Sequence, residues 1–138
     1  GFITGDTTVE HDATKLGNRV EFTGHISDDA MRALVANADL LVMPSYYEGF
    51  GLPVIEAMAA KCPVLTSSAA SLPEVCGDAA AYFDPLNVQD MAGQLLALLS
   101  DDTARNALRE KGTQQALRFD WNTTAELTGQ AIKDIASP

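Results

Sequence analysis

Two carboxylates, Glu48 and Glu56, stand eight positions apart in the stretch Glu48-Gly-Phe-Gly-Leu-Pro-Val-Ile-Glu56. Between them lie a Gly-x-Gly turn and a proline. An apolar run, Leu40-Leu-Val-Met43, ends just upstream at Pro44-Ser45. A strand, a glycine turn and a helix start in that order build an anion site, because a helix N-terminus presents unpaired N–H groups and the positive end of its dipole. Gly49 and Gly51 can take backbone angles closed to other residues and let a ligand approach. Pro53 suits the first helical position. A helix starting there puts Glu56 at the end of its first turn, with Glu48 ahead of the turn. Both carboxylates would then flank one ligand that carries phosphate and several hydroxyls. The plainer reading stands beside this one and is favoured by spacing alone: Glu in a first turn complements the dipole, and Glu48 reads as a solvated loop residue.

The elements that must hold this turn alternate between strand and helix. Strands are expected at Phe2–Thr4, Val20–Thr23, Leu40–Met43, Pro63–Thr66 and Ala79–Phe83. Ser27 caps a helix whose apolar face is Met31, Leu34, Val35 and Ala38, with Asp28 and Asp29 at its positive end. The motif helix runs from about Pro53 to Ala60. Asn87 starts an amphipathic helix with Val88, Met91, Ala92, Leu95, Leu96 and Leu99 on its core side. Another helix spans about Thr103–Leu117. Asn122 caps the last, whose apolar residues include Leu127, Ile132 and Ile135, with Phe119 and Trp121 as packing anchors before it. Such alternation predicts an α/β fold, a Rossmann-like doubly wound parallel sheet, in which ligands bind beyond the carboxyl ends of strands. The Glu48–Glu56 turn sits at such an end. The loop Ser67–Ser71 shares that rim, where Ser67 and Ser68 either assist or serve as plain loop.

Composition bounds the class. The chain has 138 residues, about one domain, and nearly half are apolar. No apolar run is long enough to span a membrane, and no N-terminal secretion signal is visible. Cys62 and Cys76 have neither metal nor CxxC spacing and read as free thiols, which favours a reducing, cytoplasmic setting. A formal charge of −10 argues against a nucleic-acid partner. The basic group Arg105, Arg109, Lys111 and Arg118 reads as a solvated helix face. Neither His11 nor His25 stands out as a general base, and no cluster suggests a metal.

The run Asn37-Ala-Asp-Leu-Leu-Val-Met-Pro-Ser45, then Glu48 through Ala59, then Cys62-Pro-Val64, resembles the retaining glycosyltransferases of the GT-B fold. In particular it is similar to family 4 (glycosyl transferases group 1), which includes bacterial mannosyl- and glucosyltransferases. The likeness continues through Ser71–Val75, Gly77–Ala79, Tyr82–Pro85 and Phe119-Asp-Trp121, and upstream to Val20–His25. The resemblance implies that Glu48 contacts hydroxyls of the donor sugar and that Glu56 grips the ribose. It implies that amides around Gly49, Phe50, Gly51 and Leu52 lie near sugar and diphosphate, and that Gly24 and His25 border the base. It implies a nucleotide diphosphate sugar as donor, a saccharide or lipid-linked acceptor, and no cofactor or metal. It also implies front-face departure and attack assisted by the leaving phosphate.

Two departures from the family pattern matter. Its usual glycine before Cys-Pro is Lys61 here, at a helix end where a left-handed residue is common. Its C-terminal domain opens upstream with a strand ending in Gly-Arg and a nearby lysine, neither of which this sequence has. The expectation is therefore a C-terminal half of a GT-B fold over residues 1–138, incomplete at its N-terminus, without the acceptor domain and inactive alone. Its sheet closes by direct pairing, borrows a strand, or leaves an edge that promotes self-association. The final helix is expected to lack its usual neighbour and to show an apolar patch. The full-length protein is expected in the cytoplasm, with a peripheral place at the inner face of the membrane left open. A glycogen or sucrose synthase-like enzyme, a non-catalytic nucleotide-binding module and a retained scaffold are the alternatives.

Overall fold

The computed structural model describes residues 12–136, so the expected strand Phe2–Thr4 lies outside the described residues. In chain order the main elements are α1 (Asp28–Asn37), β1 (Leu41–Met43), α2 (Leu52–Ala59), β2 (Val64–Ser67), α3 (Leu72–Cys76) and β3 (Ala81–Phe83). Three helices follow: α4 (Val88–Ser100), α5 (Asp102–Ala116) and α6 (Trp121–Ala136). The strands form one parallel sheet in the order β1-β2-β3, with Leu41 opposite Val64 and Leu65 opposite Ala81. Parallel neighbours cannot be joined by a tight turn and need crossovers; α2 and α3 supply them.

Side chains alternate across a strand, and each strand here feeds two cores. Val64 faces one core with Val54, Ala57 and Met58 of α2 and Leu72, Val75 and Cys76 of α3. Its neighbour Leu65 faces the other, with Phe83 of β3 and Leu98 of α4. Helices thus cover both faces, the doubly wound arrangement expected. All four residues of β2 are buried, as a central parallel strand requires. Helix α5 reaches both cores, Leu108 packing against one and Ala116 against the other. Gly112 lets it come close, since a Cβ there would lie 3.1 Å from Cγ of Met58.

The caps explain most boundaries. Ser27 Oγ accepts from the Ala30 N–H, and Asn87 Oδ1 accepts from the N–H groups of Gln89 and Asp90. Asp101 caps α5 through the Ala104 N–H at 2.9 Å.

Several expectations are corrected. Val20–Thr23 forms no strand: among the described residues it has no sheet partner, and Val20 and Phe22 are exposed. β-branched and aromatic residues favour a strand only where neighbours exist to pack and pair with. On α1, Met31 and Leu34 are exposed, and only Val35 and Ala38 reach the core. On α4, Val88, Leu96 and Leu99 are exposed, whereas Met91, Leu95 and Leu98 face inward. Those three follow the i, i+4, i+7 stripe, which the run Leu95-Leu-Ala-Leu-Leu99 obscures. Asp120, not Asn122, caps α6, accepting from the Thr123 N–H at 2.9 Å. Trp121 is exposed and so is no packing anchor, whereas exposed Leu127, Ile132 and Ile135 on the same helix agree with the apolar surface expected there. Arg105 leaves the solvated basic face: it is buried, with its guanidinium on the Leu98 carbonyl and Asp102. Helix α2 starts at Leu52, which puts Pro53 at its second position.

Candidate functional site

The turn between β1 and α2 is built around Gly51. This residue caps α2 with φ 94° and ψ 45°, a left-handed conformation. It is also buried, and a Cβ added there would sit 2.8 Å from Cδ2 of Leu72. Backbone angle and space therefore both demand glycine. A glycine cap offers no side-chain acceptor; in the first turn of α2 Pro53 has no N–H and the Val54 N–H donates to the Gly51 carbonyl at 2.9 Å, which leaves the Leu52 N–H without a partner from the cap. Gly49 differs from the expectation. Its φ is not left-handed and a Cβ there would meet nothing within 4 Å, so the chain path does not require glycine at this point.

Glu48 is half-buried and held by hydroxyls. Its Oε1 accepts from Ser45 Oγ at 2.9 Å, and its carbonyl accepts from Ser71 Oγ at 2.9 Å. Ser67 Oγ, fully buried at the end of β2, donates to the Ser45 carbonyl at 2.6 Å. Ser67 thus takes part through its hydroxyl, whereas exposed Ser68 donates its backbone N–H to the Phe83 carbonyl at 2.9 Å. The roles of Ser45 and Ser71 were not read from the sequence. A signal for Ser45 was present, because a serine three residues before a glutamate just past a strand can reach back to it.

Glu56 stands on the exposed side of α2. It lines a cleft of about 620 Å³ with Phe50, Leu52, Ile55, Phe119 and Trp121. Phe50 meets Phe119 edge-on, with centroids 5.5 Å apart at 86°. The wall is largely apolar, with the carboxylates of Glu56 and Asp120 at its polar positions. Such a surface suits a ligand with a flat apolar face and nearby hydroxyls. Glu48 is not part of this wall, so the structure does not place both carboxylates on one cleft. Gly24 and His25 occupy an exposed turn, Gly24 with φ 60°. Among the described residues no hydrogen bond ties that turn to the Glu48–Glu56 segment.

Burial pushes the Cys76 thiol up to about 11 and the Tyr82 hydroxyl up to about 12. Burial also raises the Cys62 thiol. Neither cysteine therefore offers a thiolate nucleophile near neutral pH. Hydrogen bonds from the backbone N–H and hydroxyl of Thr123 hold the Asp120 carboxyl below the usual range. Lys111, 2.9 Å from Asp78, does the same for that carboxyl. Among the described residues, no three His, Cys, Asp or Glu side chains gather as a metal site. No helix there is long and apolar enough to cross a membrane.

Comparison with known proteins gives consistent matches. Residues 5–115 match the family described as glycosyl transferases group 1. The chain is 40% identical over 114 residues to the O-antigen chain mannosyltransferase B of Escherichia coli, covering 83% of this chain and 30% of that protein. Sucrose-phosphate synthase from Thermosynechococcus elongatus superposes with a TM-score of 0.84 at 29% identity, covering 94% of this chain and 34% of that one. Anabaena HepE, solved in complex with UDP, gives a TM-score of 0.80 at 25% identity, covering 91% of this chain and 36% of that one. The chain therefore spans about a third of the length of the proteins it matches. Taken with the parallel sheet, the helix capped by Gly51 and the glutamates on either side of that glycine, these matches place the chain in the glycosyl transferases group 1 family, with an α/β fold of the GT-B type.

Proposed function

We propose that this chain is the donor-binding part of a retaining, family 4 glycosyltransferase. In this reading the full-length protein transfers a mannose- or glucose-type hexose from a nucleotide diphosphate sugar to a saccharide or lipid-linked acceptor. The single observation that carries it is the start of α2. A left-handed glycine leaves the Leu52 N–H at the helix start without a side-chain cap, three residues after a glutamate held by Ser45. Oriented N–H groups stabilise negative charge that develops on a leaving diphosphate without reorganising. Glu48 would accept hydrogen bonds from sugar hydroxyls. Glu56 would accept two from the ribose diol, since charged acceptors bond more strongly than neutral ones. Mannosyltransferases among the relatives favour mannose, and the UDP complex of HepE supports a nucleotide diphosphate as ligand. The reading assigns no resident cofactor to the chain and places the work in the cytoplasm.

Calorimetric titration of the full-length protein with UDP, GDP and ADP tests it. Saturable binding of one nucleotide is expected and would name the donor class. Binding of none would sink the proposal. Binding without transfer to any saccharide or lipid-linked acceptor would favour a non-catalytic nucleotide module.

A further inference from the structure

The serine hydroxyls around Glu48 come from three separate segments. Ser45 lies just past β1, Ser67 ends β2, and Ser71 precedes α3. Their bonds form a hierarchy. Ser67, fully buried, fixes the Ser45 backbone at 2.6 Å. Ser45 then gives its only hydroxyl proton to Oε1 of Glu48 at 2.9 Å. Ser71 fixes the backbone of Glu48 itself at 2.9 Å. Main chain and carboxylate of one residue are thus located independently.

A glutamate that merely solvates a loop needs no such restraint, because ordering its long side chain costs rotamer freedom. The restraint also has a direction. Since Ser45 donates, Glu48 is the acceptor, and one oxygen is already engaged. Among the described residues no other hydrogen bond reaches the carboxylate, so Oε2 remains to accept from a ligand hydroxyl. We infer that Ser45 is a positioning residue that fixes Oε1 of Glu48 and aims Oε2 at a hydroxyl of the donor's sugar. This rests on the reading of Glu48 as a sugar contact. Preorganised acceptors of this kind bind tightly because their own rotamers are already locked.

The test uses the full-length protein with four probes, GDP-mannose, UDP-glucose, GDP and UDP, by calorimetry. Ser45→Ala should weaken the nucleotide sugar that the wild type binds by about tenfold, the loss of one hydrogen bond to a charged group. It should leave the matching free nucleotide within about twofold. Ser45→Cys keeps the size but donates weakly and should behave like alanine, while Ser45→Thr should restore affinity. In a Glu48→Gln background Ser45→Ala should add no further loss, because residues acting through one contact are not additive. Equal weakening of sugar and free nucleotide, additive losses in the double variant, or unchanged sugar affinity in both Ser45→Ala and Ser45→Cys would each overturn the inference while leaving the donor reading intact. A wild type that binds none of the four probes overturns the donor reading, and the inference with it.

Discussion

The two ends of α2 are both turned by a left-handed residue, yet they finish differently. At the C-terminal end Lys61 has φ 60°. There the Cys62 N–H donates to the Ala57 carbonyl at 2.9 Å and the Lys61 N–H to the Met58 carbonyl at 3.1 Å. That pair of bonds is a Schellman closure, which satisfies carbonyls a helix end would otherwise leave open. The N-terminal end also turns through a left-handed residue, Gly51, but receives no side-chain cap. One end is sealed by its own backbone. The other leaves the Leu52 N–H without a cap and sits beside the glutamates and the cleft. The same local geometry thus serves as a structural stop in one place and, in the proposed reading, as a reception site in the other.

Breaking the open end should have the largest effect. Gly51→Ala adds left-handed strain and a Cβ 2.8 Å from Leu72, together about 3 kcal/mol of stability. Urea unfolding would show it, and a loss near zero would mean that the turn relaxes freely. The companion change Gly49→Ala meets open space and should stay within about 0.5 kcal/mol of wild type.

Glu56→Gln sharpens the contrast at the same end. It should weaken nucleotide binding by about 1.5–3 kcal/mol if the carboxylate holds charged hydrogen bonds, with little change in unfolding midpoint because the side chain is exposed. Unchanged nucleotide affinity would remove Glu56 from the site.

At the sealed end, Lys61→Gly should stabilise the fold by about 1 kcal/mol, since glycine takes φ 60° without the clash of a side chain. A higher denaturation midpoint with unaltered nucleotide binding is the expected pair of results. A fall in nucleotide affinity would show that the two ends are not separate.

The smallest effect concerns acid. The Asp120 carboxyl, on the wall of the cleft, is held below its ordinary value by the Thr123 N–H and hydroxyl. A group with a depressed folded pKa contributes stability above its unfolded value, about 3.9 for Asp, and loses it as pH falls through the lower folded value. The cap of α6 should therefore loosen below about pH 4. Trp121 begins that helix and is the single tryptophan of the chain, so its fluorescence should report the change, and Asp120→Asn should flatten the response.

Much of this was legible in the residues. The Leu40–Met43 run, the glycine turn and the helix after Pro53 follow from period, punctuation and capping, and Ser27 and Asn87 announce their helices. The misses have local causes. Asp120 and Asn122 are both capping residues two positions apart, and spacing does not choose between them. Helix α3, Leu72–Cys76, is too short to show a period. The part played by Ser67 and Ser71 depends on the parallel register, which brings the end of β2 alongside the chain leaving β1; no spacing within one segment reveals that. The separation of Glu48 from the wall lined by Glu56 depends on the path through Gly51, a matter of backbone angle rather than of residue type.

One corner of the molecule has a consequence for how it opens. Asp101 ends α4 and begins α5, its N–H donating to the Leu98 carbonyl and its carboxylate accepting from the Ala104 N–H. Arg105 reaches back to that same Leu98 carbonyl. No linker remains that can give way between the two helices, so neither can fray at this junction without disturbing the other. In amide hydrogen exchange α4 and α5 should lose protection together as one cooperative unit, whereas α6, which buries no residue, should exchange first and by itself.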